Sequence, residues 1–159
     1  MVSNAACPDF HAYFLGQWRF TRVMQGIDAS PIGHAEGIAR FAAQANSSGL
    51  HYHESGQLHL SAAAHALSFS RRFDYQLSQP GLVQVSFADG PQQGQSYQHY
   101  RYDAQRHALL PVQTHVCLRD RYEGWYQFID AAHFDLHTRI EGPHKAYVLR
   151  THFTRAAVD

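Results

Sequence analysis

Runs of about 8–12 residues rich in Tyr, Phe, Val, Thr and Leu recur along almost the whole chain, each ended by Gly, Pro, Asn, Asp or Ser. Helical periodicity is nearly absent. The one helix the pattern supports is short, from Pro8 to Leu15, opened by Pro8-Asp9 and closed by Gly16, with Phe10 and Phe14 on one face. Strands are expected at about 17–24, 34–43, 50–60, 65–77, 82–89, 95–103, 108–118, 122–130, 133–141 and 144–155. Ten short-looped strands favour one all-β, antiparallel up-and-down barrel, because closure removes the exposed edges of an open sheet. No linker or repeat divides the 159 residues. They form a single domain, 1–159, with 1–8 as a flexible N-terminal arm, large enough to bury roughly 70% of the unfolded surface.

Alternation assigns the two faces of each strand. Leu50, Tyr52, Leu58 and Leu60 share the inward face and carry Glu54 with them. Leu67, Phe69, Phe73, Tyr75 and Leu77 carry Arg71 inward. Hairpin closure sets Glu54 opposite Arg71, Tyr75 opposite Val85, Phe73 opposite Phe87 and Arg71 opposite Asp89, so that one arginine is expected between two carboxylates. Tyr122, Gly124, Tyr126 and Phe128 read as inward, as do Phe134, Leu136, Thr138 and Ile140. In the last strand Tyr147, Leu149, Thr151 and Phe153 point in, with Lys145 and Arg155 at the ends of the row. The seventh strand is ambiguous. Periodicity puts Leu110, Val112, Val116 and Leu118 inside and His115 and Cys117 outside, whereas an unpaired cysteine is usually buried. Both orientations stay open.

Charge narrows the function classes. Lys+Arg and Asp+Glu each number 13, as does His, and the net charge is zero with His neutral. A broad basic nucleic-acid surface or a polybasic membrane arm is disfavoured. Tyr97, Tyr100 and Tyr102 beside His99 and Arg101 read as wall packing rather than a base-stacking surface. No run approaches the ~20 apolar residues of a membrane helix. Two cysteines, Cys7 and Cys117, make no disulfide framework and fit the cytosol. Ala5-Ala6-Cys7 lacks the charged and apolar segments of a lipoprotein leader, so a cytoplasmic protein is expected. A homodimer is compatible with all of this.

The short helix followed by Gly16-Gln17-Trp18 resembles the N-terminal signature of lipocalins and related calycins. In those folds the tryptophan closes the barrel bottom and an arginine after the last strand packs across it; Trp18 and Arg155 stand in the matching places. More broadly, the chain resembles a family of small, functionally uncharacterised bacterial lipocalin-like proteins. The resemblance is carried by Phe14-Leu15-Gly16-Gln17-Trp18, Tyr52-His53-Glu54-Ser55-Gly56, His115-Val116-Cys117 with Asp120, Tyr122, Gly124 and Tyr126, and Gly142-Pro143-His144-Lys145-Ala146-Tyr147. It implies a calycin-type barrel and no established activity.

The residues point to a small-molecule cavity. Its expected ligand is partly apolar with a polar or anionic end, met by Tyr52, Glu54, Arg71, Asp89, Tyr122, Tyr126, Lys145 and Tyr147. Arg71 would anchor the anion through its planar fork. The bland alternative is a buried ion network that only plugs the barrel. A different class is a small lyase, isomerase or hydrolase with Cys117 as nucleophile and His115 as base, and the pattern leaves open whether there is catalysis. A haem barrel with His115 as axial ligand is a minor alternative. Zinc on His51, His53 and His59 is disfavoured because that face points outward and no carboxylate of matching spacing completes the set. No metal and no cofactor are therefore expected. The same alternation sends His133, His137 and His152 to solvent, as weak pH-dependent charge. Solubility is accordingly expected to be poor near pH 7 and to improve below about pH 6.

Overall fold

A computed structural model describes residues 7–112, 115–117 and 120–157, with 115–117 described through the backbone alone. One short helix, α1 (Phe10–Phe14), precedes eleven strands. These are β1 (Gly16–Gly26), β2 (Pro31–Ala43), β3 (Leu50–Leu60), β4 (Leu67–Gln76), β5 (Leu82–Phe87), β6 (Ser96–Asp103), β7 (Ala108–Pro111), β8 (His115–Cys117), β9 (Asp120–Asp130), β10 (His133–Glu141) and β11 (Ala146–Arg155). From β1 to β7 and from β8 to β11 each strand pairs antiparallel with the next, β7 pairs with β9, and β11 returns to pair with β1, closing the sheet. The result is a closed ten-stave antiparallel barrel.

The tenth stave is shared by β7 and β8, which both pair with β9. Leu109 lies opposite Tyr126 and His115 opposite Tyr122, so the span 109–115 on one side matches the span 122–126 on the other, an excess of two residues. An excess of two keeps the alternation in phase; period-two counting goes astray here because Ala108 to Val112 are apolar at every position, so no alternation marks which face is inward. Leu109 is fully buried while Val112 is 49% exposed, which overturns the inward placement of Leu110 and Val112.

Elsewhere the alternation holds and the register follows it. Glu54 faces Arg71, Tyr75 faces Val85 and Phe73 faces Phe87. In β9 Tyr126 and Phe128 are buried while Trp125 and Ile129 are exposed. The barrel closes tightly between β2 and β3, where Gly37 opposes Gly56. A Cβ on Gly37 would come 2.1 Å from the Ser55 carbonyl and 2.9 Å from the Phe20 ring, so only glycine leaves room for that ring.

One end is plugged. The Asp9 carboxylate caps α1 by accepting from Ala12 N at 3.2 Å. Phe10 and Phe14 then enter the barrel floor. Gly16 turns the chain from helix to strand at φ +118°, a conformation that favours glycine. Trp18, fully buried, donates its indole N–H to the Phe14 carbonyl at 2.9 Å. The Arg155 guanidinium lies 4.2 Å from the Trp18 ring centroid and donates to the carbonyls of Leu15 at 3.0 Å and of Tyr13. A cation stacked on tryptophan contributes ~0.5–2 kcal/mol, more as water is excluded. Helix, first strand and last strand are thereby tied together at the floor.

Candidate ligand-binding cavity

The other end encloses a cavity of about 520 Å³. Its wall is aromatic: Phe41, Phe69, Phe73, Phe87, Phe134 and Phe153 alternate with Tyr52, Tyr75, Tyr97, Tyr100, Tyr122, Tyr126 and Tyr147. The β5–β6 loop contributes Asp89, Gly90, Pro91 and Gln92 at the mouth.

The polar centre is built by three strands. β1 continues its inward row Trp18, Phe20 with Arg22; β3 supplies Glu54; β4 supplies Arg71. Glu54 is 1% exposed. Its Oε2 accepts from Arg22 Nη2 at 2.9 Å, and its Oε1 lies 3.6 Å from Arg71 Nε. Arg22 is itself buried and donates from Nε to Thr151 Oγ1 at 2.8 Å. Arg71 stays 43% exposed at the side chain and rests on the Phe73 ring at 5.0 Å.

The expected order of charges is thus inverted. The reading from sequence placed one arginine between two carboxylates; the structure places one carboxylate between two arginines. Asp89 does not pair with Arg71. The β4–β5 ladder ends at Phe87, and the short Asp89 side chain accepts from the nearer Arg72 backbone N–H at 3.0 Å as the loop turns away. The consequence is electrostatic: two guanidiniums and one carboxylate leave one positive charge in excess, on the member that faces the open cavity. Arg22 was missed, although the signal was present, since it rides on the apolar face of β1 as Glu54 and Arg71 do on theirs.

Burial also shapes the phenols. Tyr52, Tyr100 and Tyr126 are held well above the ordinary tyrosine range, chiefly by desolvation; the Glu54 charge adds to this for Tyr52. Tyr75 shifts the same way, again through burial, and its hydroxyl meets that of Tyr126 at 2.7 Å. These groups remain neutral hydrogen-bonding hydroxyls across the physiological range.

The remaining expected site residues fall in different places. Tyr52, Glu54, Arg71, Asp89, Tyr122, Tyr126 and Tyr147 all line the cavity. Lys145 does not: it sits in the β10–β11 turn, 47% exposed, with Nζ 3.6 Å from Asp120 Oδ2. A row that ends in a turn releases its last residue from the strand's alternation. The side chains of His115 and Cys117 lie outside the described residues. On the outer wall His51 pairs with Asp74 at 2.7 Å and His53 with Ser70 at 2.8 Å, so neither joins His59 in a ligand set. His59 instead meets His34 and Glu36 across the β2–β3 pair.

A family profile described as "Family of unknown function (DUF6314)" matches residues 14–155. The chain belongs to the DUF6314 family. No curated protein matches it in sequence. Among solved structures, the barrel is similar to the S-type phycobiliprotein lyase CPES from Guillardia theta, with TM-score 0.66 and 10% identity over 95% of this chain and 93% of that one. A de novo designed fluorescence-activating β-barrel aligns with TM-score 0.51 and 13% identity, over 94% of this chain and 99% of the design. A DUF3598-family protein of unknown function from Nostoc punctiforme gives 0.51 at 14% identity, with 91% of this chain covering 47% of that one. At such identities the likeness establishes the barrel fold. No helix among the described residues is long and apolar enough to cross a membrane.

Proposed function

We propose that this DUF6314 protein binds a small, partly aromatic ligand bearing one anionic group inside the barrel. The observation that carries the reading is the excess guanidinium. Arg22 satisfies Glu54 and Thr151 deep in the wall, leaving Arg71 half-exposed in a cavity whose wall is mainly aromatic, with Asp89 at the mouth bound to the Arg72 backbone N–H. A charge so placed lacks full solvation and interacts strongly with an incoming anion. A volume of about 520 Å³ lies within the range of small-molecule sites. The phenols offer hydrogen bonds to the ligand body and the phenylalanines offer stacking faces. The same barrel architecture serves a lyase named for phycobiliproteins and a design that activates fluorescence, which is in keeping with a cavity that holds a guest.

The test is fluorescence titration with anilinonaphthalenesulfonate, followed by displacement with aromatic carboxylic acids and their neutral methyl esters. Saturable displacement by acids, at least about tenfold tighter than by esters, is expected; the preference should vanish in Arg71→Met. Equal binding of acid and ester, or no saturable binding, overturns the reading.

A further inference from the structure

The outer wall holds a second arrangement, independent of the cavity. β2 and β3 pair so that His34 lies directly opposite His59, close to the open rim where β2 begins and β3 ends. The two imidazoles stack with centroids 4.6 Å apart and planes 15° from parallel. Glu36, two residues along β2 and so on the same face, places Oε1 2.9 Å from His59 Nε2. Among the described residues, the His34 imidazole has no hydrogen-bonding partner, and one donor atom from each of the three groups lies within 4.8 Å of the others. The three residues are half-exposed or exposed, so a hydrated cation can reach them.

We propose that His34, Glu36 and His59 form a binding site for a divalent transition-metal cation, zinc above all. Two imidazoles and a carboxylate are a donor set that suits zinc and disfavours calcium or magnesium, which take oxygen. Tetrahedral zinc with bonds of 2.0–2.1 Å needs donors about 3.3 Å apart. Donors already within 4.8 Å reach that spacing by side-chain rotation alone, because the two strands fix the three Cα positions. Three protein ligands leave the fourth position to water or to a group brought by a partner. The carboxylate now bonded to His59 would turn to the metal, and the His34 ring would trade its stacking contact for a coordinate bond.

The molecule supplies its own control. His133 and His152 also stack, at 5.8 Å, across adjacent strands β10 and β11. Each of those rings already holds a separate carboxylate, Asp130 and Asp135, and no shared donor cluster results. A chain with thirteen histidines takes up some zinc anywhere, so the comparison between the two pairs is the decisive one.

The experiment is a zinc titration of the full chain against a chromophoric chelator at pH 7.5. It is repeated for His34→Ala, His59→Ala, Glu36→Gln, the double variant His133→Ala/His152→Ala, and Cys7→Ser/Cys117→Ser. Circular dichroism checks that each variant is folded. One zinc per chain is expected to bind in a step that weakens at least about tenfold in each of the first three and is unchanged in the last two. Three results overturn the proposal: no resolved one-to-one step in the unsubstituted chain, a step that survives loss of His34 and His59, or a step abolished by removing His133/His152 or the two cysteines.

Discussion

The two ends of the barrel are built from the same aromatic residues to opposite purposes. At the floor the rings fill space. Phe14 stacks on Phe41 at 4.9 Å, Trp18 meets Phe134 edge-on at 4.8 Å, and Phe134 lies on Phe153 at 4.4 Å. Toward the mouth the staves splay around a cavity, and rings line a void instead of closing it. The difference comes from α1. Five residues supply two phenylalanines to the floor and nothing to the mouth, so one end gains packing enthalpy while the other retains empty volume and unspent charge. Packing therefore concentrates at the floor and open volume at the mouth.

Trp18→Ala should break that comparison most visibly if it is wrong. It removes a fully buried indole, its bond to Phe14 and the seat of Arg155. A loss of roughly 3–5 kcal/mol in urea unfolding is expected. Leu58→Ala, on the cavity wall, removes atoms that already border a void and should cost only about 1 kcal/mol. Similar losses at the two sites would mean that the mouth carries as much of the fold as the floor.

The charged centre comes next. Glu54→Gln removes the carboxylate that both arginines face and should cost about 3 kcal/mol, because Arg22 is left buried without a counter-charge. Arg22→Met alone should cost a similar amount. The double variant should lose clearly less than the two single losses together, since each substitution removes the group that the other strands. Simple additivity of the two would show that the pair is not coupled.

The phenols extend the comparison to pH. Burial raises the folded-state values of Tyr52, Tyr75, Tyr100 and Tyr126 above those of the unfolded chain. Below about pH 10 both states keep these protons and the contribution to stability is complete. Above it the unfolded chain ionises first, so stability falls as pH rises toward the folded-state values. At the floor Tyr13 is pushed up to about 12 by burial, its hydroxyl donating to the Asp130 carbonyl at 2.8 Å. Near-ultraviolet titration should show the cavity phenols ionising together with loss of the far-ultraviolet β signal. A single wave of all nine tyrosines near pH 10 in a still-folded protein would contradict the burial of the cavity wall.

Period-two alternation explains how much of this was legible from the chain. It placed Glu54 opposite Arg71 and Tyr75 opposite Val85, because register is strongly fixed wherever one face is buried. It failed where the ladder stops. Asp89 and Lys145 each stand just past a strand end, where a turn and not the pleat directs the side chain. It failed again along β7, where Ala108 to Val112 are apolar at every position and nothing in the pattern sets the inward phase. Arg22 was missed for another reason: its partners Glu54 and Thr151 come from strands distant in sequence, and hairpin closure predicts only neighbours in the meander. The outer histidines show the same limit. Alternation sent His51, His59, His133 and His152 outward, but not to Asp74, Glu36, Asp130 and Asp135, with which they pair.

Arg71→Met should have the smallest effect on the fold and the sharpest on binding. Its side chain is 43% exposed, and its nearest approach to Glu54 is 3.6 Å against 2.9 Å for Arg22, so the carboxylate keeps its stronger partner when Arg71 is gone. A half-exposed ion pair contributes ~1 kcal/mol or less, and methionine retains most of the contact with the Phe73 ring. Unfolding free energy should therefore shift by under about 1 kcal/mol, while preference for an acid over its ester is lost. The cluster changes from one positive charge in excess to a neutral Arg22–Glu54 pair, and with Asp89 still at the mouth the cavity offers no net positive charge to select an anion. A large stability loss in Arg71→Met would make Arg71 part of the structural plug and move the boundary between the two ends up to the mouth itself.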